Sequence, residues 1–154
     1  WDFDNPPMDP VELKTEMLKL MKANLGIGLS ANQVGINARV FVFVHNNTTN
    51  NQTDREALCI NPEIVERVEP VLTMWEGCLS FPEVTIQVPR HHKVKAIWTN
   101  ELGNQIKETF VGYDAVCFQH ELDHLNGITF DQHVSPMVWK EAVEKAKKKI
   151  EDNA

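Results

Sequence analysis

The stretch CFQHELDHLNG at residues 117–127 holds two histidines four positions apart, with a glutamate directly after the first. On a helix, residues i and i+4 share a face, so His120 and His124 can aim two imidazoles at one ion while Glu121 reaches a water beside it. Val116, Cys117, Phe118, Leu122 and Leu125 accompany them. Such an apolar set predicts a buried helix, and buried imidazoles need partners. The plainer alternative, two histidines on a solvated helix, leaves those apolar residues unexplained.

A hydrolytic ion keeps three protein ligands and one open position, so a third donor has to be found. Downstream, the pattern HExxHxxGxxH is matched through Gly127, but its last position is Phe130, which cannot bind a cation. Glu141 and Glu144 offer carboxylates, although they stand on an amphipathic terminal segment whose polar residues are more simply explained as solvated. Upstream, WEGCLSFP places Cys78 after Gly77 in a segment that does not alternate cleanly as a strand. A thiolate there would be a soft third ligand, and Leu79-Ser80 behind it offers backbone N–H groups. A small buried cysteine is the plain alternative. Cys117 precedes His120 by three, but a trio of ligands from one helix leaves little open coordination, so it reads as wall.

The elements that must position these groups follow from periodicity. Asp9-Pro10 and VELKTEMLKLMKAN set Val11, Leu13, Met17, Leu18, Leu20 and Met21 at helical spacing, with Gly26 past the end. RVFVFVH (39–45) reads as a buried strand, and the polar run NNTTNNQTD after it as an exposed loop. The tripeptides from Asn46, Asn47 and Asn51 fit the glycosylation pattern, but a polar hairpin loop accounts for them without it. Strand-like pieces recur at Ala57–Ile60, Pro70–Met74, Thr85–Val88, Lys93–Thr99 and Gln105–Val111, with a turn at Asn100–Gly103. A second helix is predicted over Tyr113–Leu125, closed by Asn126-Gly127, which suit a left-handed helix end. A third follows Ser135-Pro136, with Val138, Ala142, Val143, Ala146 and Ile150 on one face and lysines on the other. This order predicts one α+β domain over 1–154, with antiparallel or mixed β-sheets packed around a central metal-binding helix and with N- and C-terminal helices.

Composition narrows the classes. The chain of 154 residues carries a formal charge of -7, which argues against a general nucleic-acid binder. Cys59, Cys78 and Cys117 are odd in number and lack a disulfide framework, which points to a reducing compartment. No apolar run is long enough to span a bilayer, and WDFDNPPMDP is unlike a signal peptide, so a soluble intracellular protein is expected. Because the chain opens on Trp1 and not on Met, that expectation leaves room for further N-terminal sequence.

Three separated segments then agree together. GIGLSANQVG (26–35), EGCLSFP (76–82) and QHELDHLNG (119–127) resemble, in order and spacing, the three signature segments of peptide deformylases, and the likeness extends through VPR (88–90). The first departs from the usual GxGLAAxQ only at Ser30. The resemblance implies removal of the formyl group from the N-terminal methionine of new polypeptides, with release of formate. It implies Cys78, His120 and His124 as metal ligands and Glu121 as general base and then acid. Gln33 and the Leu79 N–H would be the donors to the formyl oxygen, each worth about 3 kcal/mol. The peptide would lie along Gly26, Ile27 and Gly28, and its methionine side chain among Ile27, Phe81, Tyr113, Val116, Cys117 and His120. Tyr113 stands where a smaller aliphatic residue is common. Glu76 and Arg90 match the paired charges that brace the Cys78 loop.

The resemblance favours Fe2+, while a thiolate with two imidazoles also accepts Zn2+, Ni2+ or Co2+. It further implies N-formylmethionyl nascent chains as partners and a ribosome contact through the C-terminal helix, where Lys140, Lys145, Lys147, Lys148 and Lys149 cluster. Lysines that complement a helix dipole and keep the domain soluble are the plainer reading of that run. A monomer without membrane contact is expected, in a bacterial or phage-infected cytoplasm or in an organelle.

Overall fold

Residues 40–44, VFVFV, have no polar face, and because successive strand side chains point to opposite sides, both sides need a cover. The computed structural model describes residues 1–46, 55–78 and 81–153. Its elements are α1 (Pro10–Ala23), β1 (Gly28–Ser30), a 3-10 turn (Ala31–Val34), β2 (Val40–Val44), β3 (Glu56–Cys78), β4 (Phe81–Thr99), β5 (Gln105–Val111), α2 (Tyr113–Leu125), a second 3-10 turn (Phe130–His133) and α3 (Pro136–Asp152). The strands form one antiparallel sheet in the order β1-β2-β3-β4-β5. On one side of β2, Val40 and Val42 pack with Leu13, Met17 and Met21 of α1. On the other, Phe41 and Phe43 meet Phe118 and Leu122 of α2, together with Trp98 and Phe110. The result is α+β, with α2 laid against the sheet.

Local chemistry sets the helix ends. The Asp9 carboxylate accepts from the Val11 N–H at 3.1 Å and the Ser135 hydroxyl from the Val138 N–H at 3.2 Å, each just before a proline that starts its helix. At the end of α2, Gly127 takes φ 74°, and the Ile128 N–H returns to the Asp123 carbonyl at 2.8 Å. Asn126 does not share the left-handed conformation; its φ is -91°. The end of α1 departs from expectation. Leu25, not Gly26, turns left-handed at φ 57°, while the Gly26 N–H bonds to the Met21 carbonyl at 2.9 Å. Leu25 is 93% exposed, so its side chain stands almost wholly in solvent, at the rim of a cavity.

Two pairs of expected strands are fused. Ala57–Ile60 and Pro70–Met74 belong to the single β3, and Thr85–Val88 and Lys93–Thr99 to the single β4. Register shifts fall at Ile60/Glu63, Ile64/Glu66, Val68/Val71 and Gly77/Cys78. Each bulge breaks the two-residue alternation, and so one bent strand reads in sequence as several short ones. β1 was not expected at all, being three residues long. In α3 the covered stripe is Trp139, Ala142, Val143 and Ala146 against Val84, Ile86 and Val88 of β4, whereas Val138 and Ile150 stay exposed.

Phe118 joins the two layers, with ring centroids 5.1 to 5.8 Å from those of Phe41, Phe43, Trp98 and Phe110. Phe118→Ala should cost about 3–5 kcal/mol through lost burial and the cavity left behind. Urea titration reads this as a lower midpoint at unchanged slope; an unchanged midpoint would mean that α2 docks by other contacts.

Candidate active site

One turn of α2 carries His120 and His124 into a shared space, their ring centroids 4.7 Å apart and their Nε2 atoms 3.0 Å apart. Cys78 arrives from the end of β3, where the shift from the pairing Gly77↔Thr85 to Cys78↔Phe81 sets its side chain beside α2. Its Sγ lies 3.3 Å from His124 Nε2, and one donor atom from each of the three residues lies within 4.8 Å of the others. Among the described residues this is the one grouping of at least three His, Cys, Asp or Glu donors suited to a metal ion. Glu141 and Glu144 are exposed on α3 and take no part.

The donor set fits a divalent ion. Nitrogens bonded at about 2.0–2.1 Å in a tetrahedron stand about 3.3 Å apart, close to the separations found here. His120 Nδ1 is 2.8 Å from Glu76 Oε1, so with the ring N–H donating there the Nε2 lone pair faces the site. The surroundings also favour positive charge at this point. Burial alone would lower the affinity of His120 for a proton, but hydrogen bonding to Cys78 and Glu76 and the nearby Glu121 carboxylate push its pKa up to about 10.

Glu76 is itself held. Arg90 donates Nε to its Oε2 at 2.9 Å and Nη2 to its Oε1 at 3.0 Å, while Nη1 donates to Asp123. Both side chains of the Glu76–Arg90 pair are 4% exposed. Burial works against the charged form of Glu76, yet hydrogen bonds from His120 and Arg90 bring its pKa below the usual value.

Glu121 is buried beside these groups, and its Oε2 has no hydrogen-bond partner. Burial pushes its carboxyl up to about 7, with the imidazoles of His120 and His124 pulling the other way. A carboxylate poised near neutrality can accept and return a proton. Gly28 makes its space: a Cβ there would stand 2.6 Å from Glu121 Oε1. Gln33 is oriented by Ser30, whose N–H and hydroxyl both donate to Gln33 Oε1, at 2.9 and 2.7 Å. The amide nitrogen is thereby turned to the site, 3.7 Å from Cys78 Sγ. The departure from the family pattern at Ser30 thus supplies a second donor to that amide.

A cavity of about 530 Å³ opens at this centre. Of the expected substrate residues, Gly26, Ile27, Gly28, Tyr113, Val116 and Cys117 line it, as do Glu76, Cys78, His120 and Glu121. Phe81 is not among the lining residues; it packs edge-on against Trp139, centroids 5.1 Å apart, in the layer between β4 and α3. That position follows from the pairing of Phe81 with Cys78 across the hairpin. Burial, followed by the charges of Glu121 and Asp114, pushes the Cys117 thiol up to about 12, which suits a wall and not a ligand. Leu79 lies outside the described residues, as do Asn47, Asn51 and most of the polar loop.

Several positioning contacts escaped the sequence reading. Asn32 Nδ2 donates to the His124 carbonyl at 2.6 Å, and Arg39 reaches the Leu125 carbonyl at 3.2 Å and Asn126 Oδ1 at 3.0 Å, clamping the end of α2. Asn24, Leu25 and Glu83 add to the cavity wall. Asn32 and Asp123 sit inside the quoted motifs and were findable there; nothing local marks Arg39 or Glu83.

A Cβ at position 28 would also stand 2.9 Å from the Cγ and Cδ of the buried Glu121, so Gly28→Ala should shift that side chain from its base, costing about 1–3 kcal/mol and misplacing the proton acceptor. Turnover is expected to fall about 100-fold, the penalty typical of an ångström-scale displacement, with metal content retained. Full turnover in the alanine variant would show that the close approach does not matter.

The comparisons with known proteins agree with this arrangement. The family model described as polypeptide deformylase matches residues 3–139. The peptide deformylase of Phenylobacterium zucineum is 38% identical over 88% of this chain and 79% of its own length, and that of Aquifex aeolicus 39% identical over 86% and 78%. The crystal structure of a peptide deformylase from Synechococcus elongatus superposes with a TM-score of 0.80 at 34% identity, covering 92% of this chain and 77% of the other. That of Thermus thermophilus gives 0.79 at 31% identity, covering 94% and 83%. Deformylases are metal-dependent hydrolases, and the three converging donors form a candidate metal site of the kind they require. With its fold, its three motif segments and its relatives in accord, the chain belongs to the polypeptide deformylase family.

Proposed function

We propose that this chain removes the N-formyl group of new polypeptides at the Cys78–His120–His124 centre, releasing formate. The observation that carries the assignment is the convergence of three donor atoms beside a buried carboxylate oxygen that has no partner, at the end of a partly apolar cavity. When bound, a divalent ion supplies Lewis acidity and brings the pKa of a water towards about 7. Glu121 Oε2 takes the proton as the water oxygen adds to the formyl carbon, and returns it to the amine nitrogen as the C–N bond breaks. Gln33 Nε2 donates to the formyl oxygen as it gains charge, and the Leu79 N–H is assigned the same task. Gly26, Ile27 and Gly28 carry the peptide backbone, and Ile27, Tyr113, Val116 and Cys117 enclose the methionine side chain.

Fe2+ is the proposed native ion, with Zn2+, Ni2+ or Co2+ able to replace it at a thiolate and two imidazoles. The proposed setting is one where translation begins with formylmethionine, a bacterial or phage-infected cytoplasm or an organelle, a reading that the bacterial relatives support. No helix of the described residues is long and apolar enough to cross a membrane.

Formate release from a formyl-Met peptide, measured after anaerobic Fe2+ loading and after zinc loading, tests the reading. The ferrous form should be faster. Glu121→Gln, similar in shape but a poor proton acceptor, should keep fold and metal and lose at least about 100-fold in rate. Near-normal release by the metal-loaded variant would remove Glu121 from its role; no release by any wild-type metal form would remove the function.

For the ribosome contact, α3 turns its apolar stripe to β4 and leaves Lys140, Lys145, Lys147 and Lys148 exposed, while Lys149 pairs with Glu83 at 3.1 Å. A cationic face of this kind is held to RNA phosphates at low salt and released at high salt. Replacing Lys145, Lys147 and Lys148 by Glu should abolish low-salt co-sedimentation with ribosomes and leave turnover of a free formyl-peptide unchanged. Undiminished sedimentation would make these lysines solubilising only.

A further inference from the structure

On a different face of α2 from the donor cluster lies a second cavity, of about 200 Å³, lined by Arg90, Asp123, His133, His91, Gln119 and Arg67 among others. His133, at the end of the second 3-10 turn, is 2.8 Å from Asp123 Oδ2 through its Nε2. An ionised carboxylate only accepts, so the imidazole donates. Asp123 also accepts from Arg90 Nη1; Arg90 holds both oxygens of Glu76; and Glu76 Oε1 meets Nδ1 of His120 at 2.8 Å. A continuous chain of hydrogen bonds therefore runs from the rear cavity to a candidate metal donor.

Charge explains why the outer link matters. Two carboxylates, the buried Glu76 and the partly exposed Asp123, share the single guanidinium of Arg90, which leaves one negative charge to be compensated. At the inner end, His120 and a bound cation serve Glu76. At the outer end, the His133 N–H serves Asp123. Without that donor the Asp123 carboxylate would rest on Arg90 alone and draw the guanidinium towards itself, loosening the bidentate grip on Glu76 and with it the set of the His120 ring. The partners of metal-binding histidines are known to act in this way one step out; here the chain extends three steps further.

The geometry points to His133 as a positioning residue for the metal centre, acting through Asp123, Arg90 and Glu76. This rests on the metal-centre reading above. Two substitutions separate the Nε2 donor from the bulk of the ring: His133→Gln keeps an amide N–H at the reach of Nε2, and His133→Asn is too short. Both are polar, and the site accepts polar groups, since the side chains of His133 and Asp123 are 25% and 21% exposed. Apo-protein is loaded with Co2+, its affinity is read by competition with a chelator, and its visible d–d spectrum is recorded. The Asn variant should bind Co2+ about tenfold more weakly, at the lower end for such outer partners, with a shifted spectrum, while the Gln variant stays near wild type in both. Wild-type affinity and spectrum in the Asn variant, or equal weakening in both variants, overturns the role of the Nε2 donor. A wild-type protein that binds no Co2+ would instead overturn the metal centre itself, and this inference with it.

Discussion

The buried pair of Glu76 and Arg90 is the constraint on which the site depends. Each side chain is 4% exposed, so each charge has left water and must find compensation inside the protein. Arg90 belongs to β4, Glu76 to β3, and the remaining contacts, to Asp123 and His120, reach α2. One guanidinium thus fixes the relative placement of three elements. Removing either partner of such a pair typically costs about 3–5 kcal/mol, because the survivor stays buried and unpaired. Cys78 lies two residues beyond Glu76, so the anchor that satisfies this charge also sets where the thiol stands.

Around that anchor, apolar packing decides how close the reacting groups come. α2 is wedged between the aromatic layer of Phe41, Phe43, Trp98 and Phe110 and the cavity on its other side. It cannot retreat from β1, and the missing Cβ at Gly28 lets the Glu121 carboxylate sit against that strand. The same confinement raises the pKa of Glu121 to about 7, first through burial. A surface helix with the same HELDH sequence would hold an ordinary carboxylate. Here a packing decision becomes an acid–base property.

The C-terminal helix shows how one element divides its tasks. Trp139, Ala142, Val143 and Ala146 cover the part of β4 next to the Cys78 hairpin, and Phe81 turns into this layer instead of the cavity. Support for Cys78 and Phe81 therefore comes from the α3 side, through apolar contacts, while Cys78 also lines the cavity with the reacting groups. Of the clustered lysines only Lys149 adds to this support, through Glu83 of β4, and Lys140, Lys145, Lys147 and Lys148 stay exposed.

The HELDH spacing, the helix over Tyr113–Leu125 and the turn at Gly127 were legible in sequence because each depends on neighbours within a few residues, where periodicity and backbone preference act. The motif segments likewise named Cys78, Gln33 and Glu76 before any geometry, and the VPR stretch at 88–90 named Arg90. Long-range pairing was not legible. Bulges hid the length of β3 and β4, since an unpaired residue resets the alternation that marks a strand. Nor did the local pattern show that Phe81 faces Trp139, that Asn32 and Arg39 clamp the end of α2, or that His133 closes a hydrogen-bond chain begun at His120. Those contacts join residues from separate elements, and only the tertiary fold, which brings α2, β3 and β4 to one point and forces every buried charge there to find a partner, decides them.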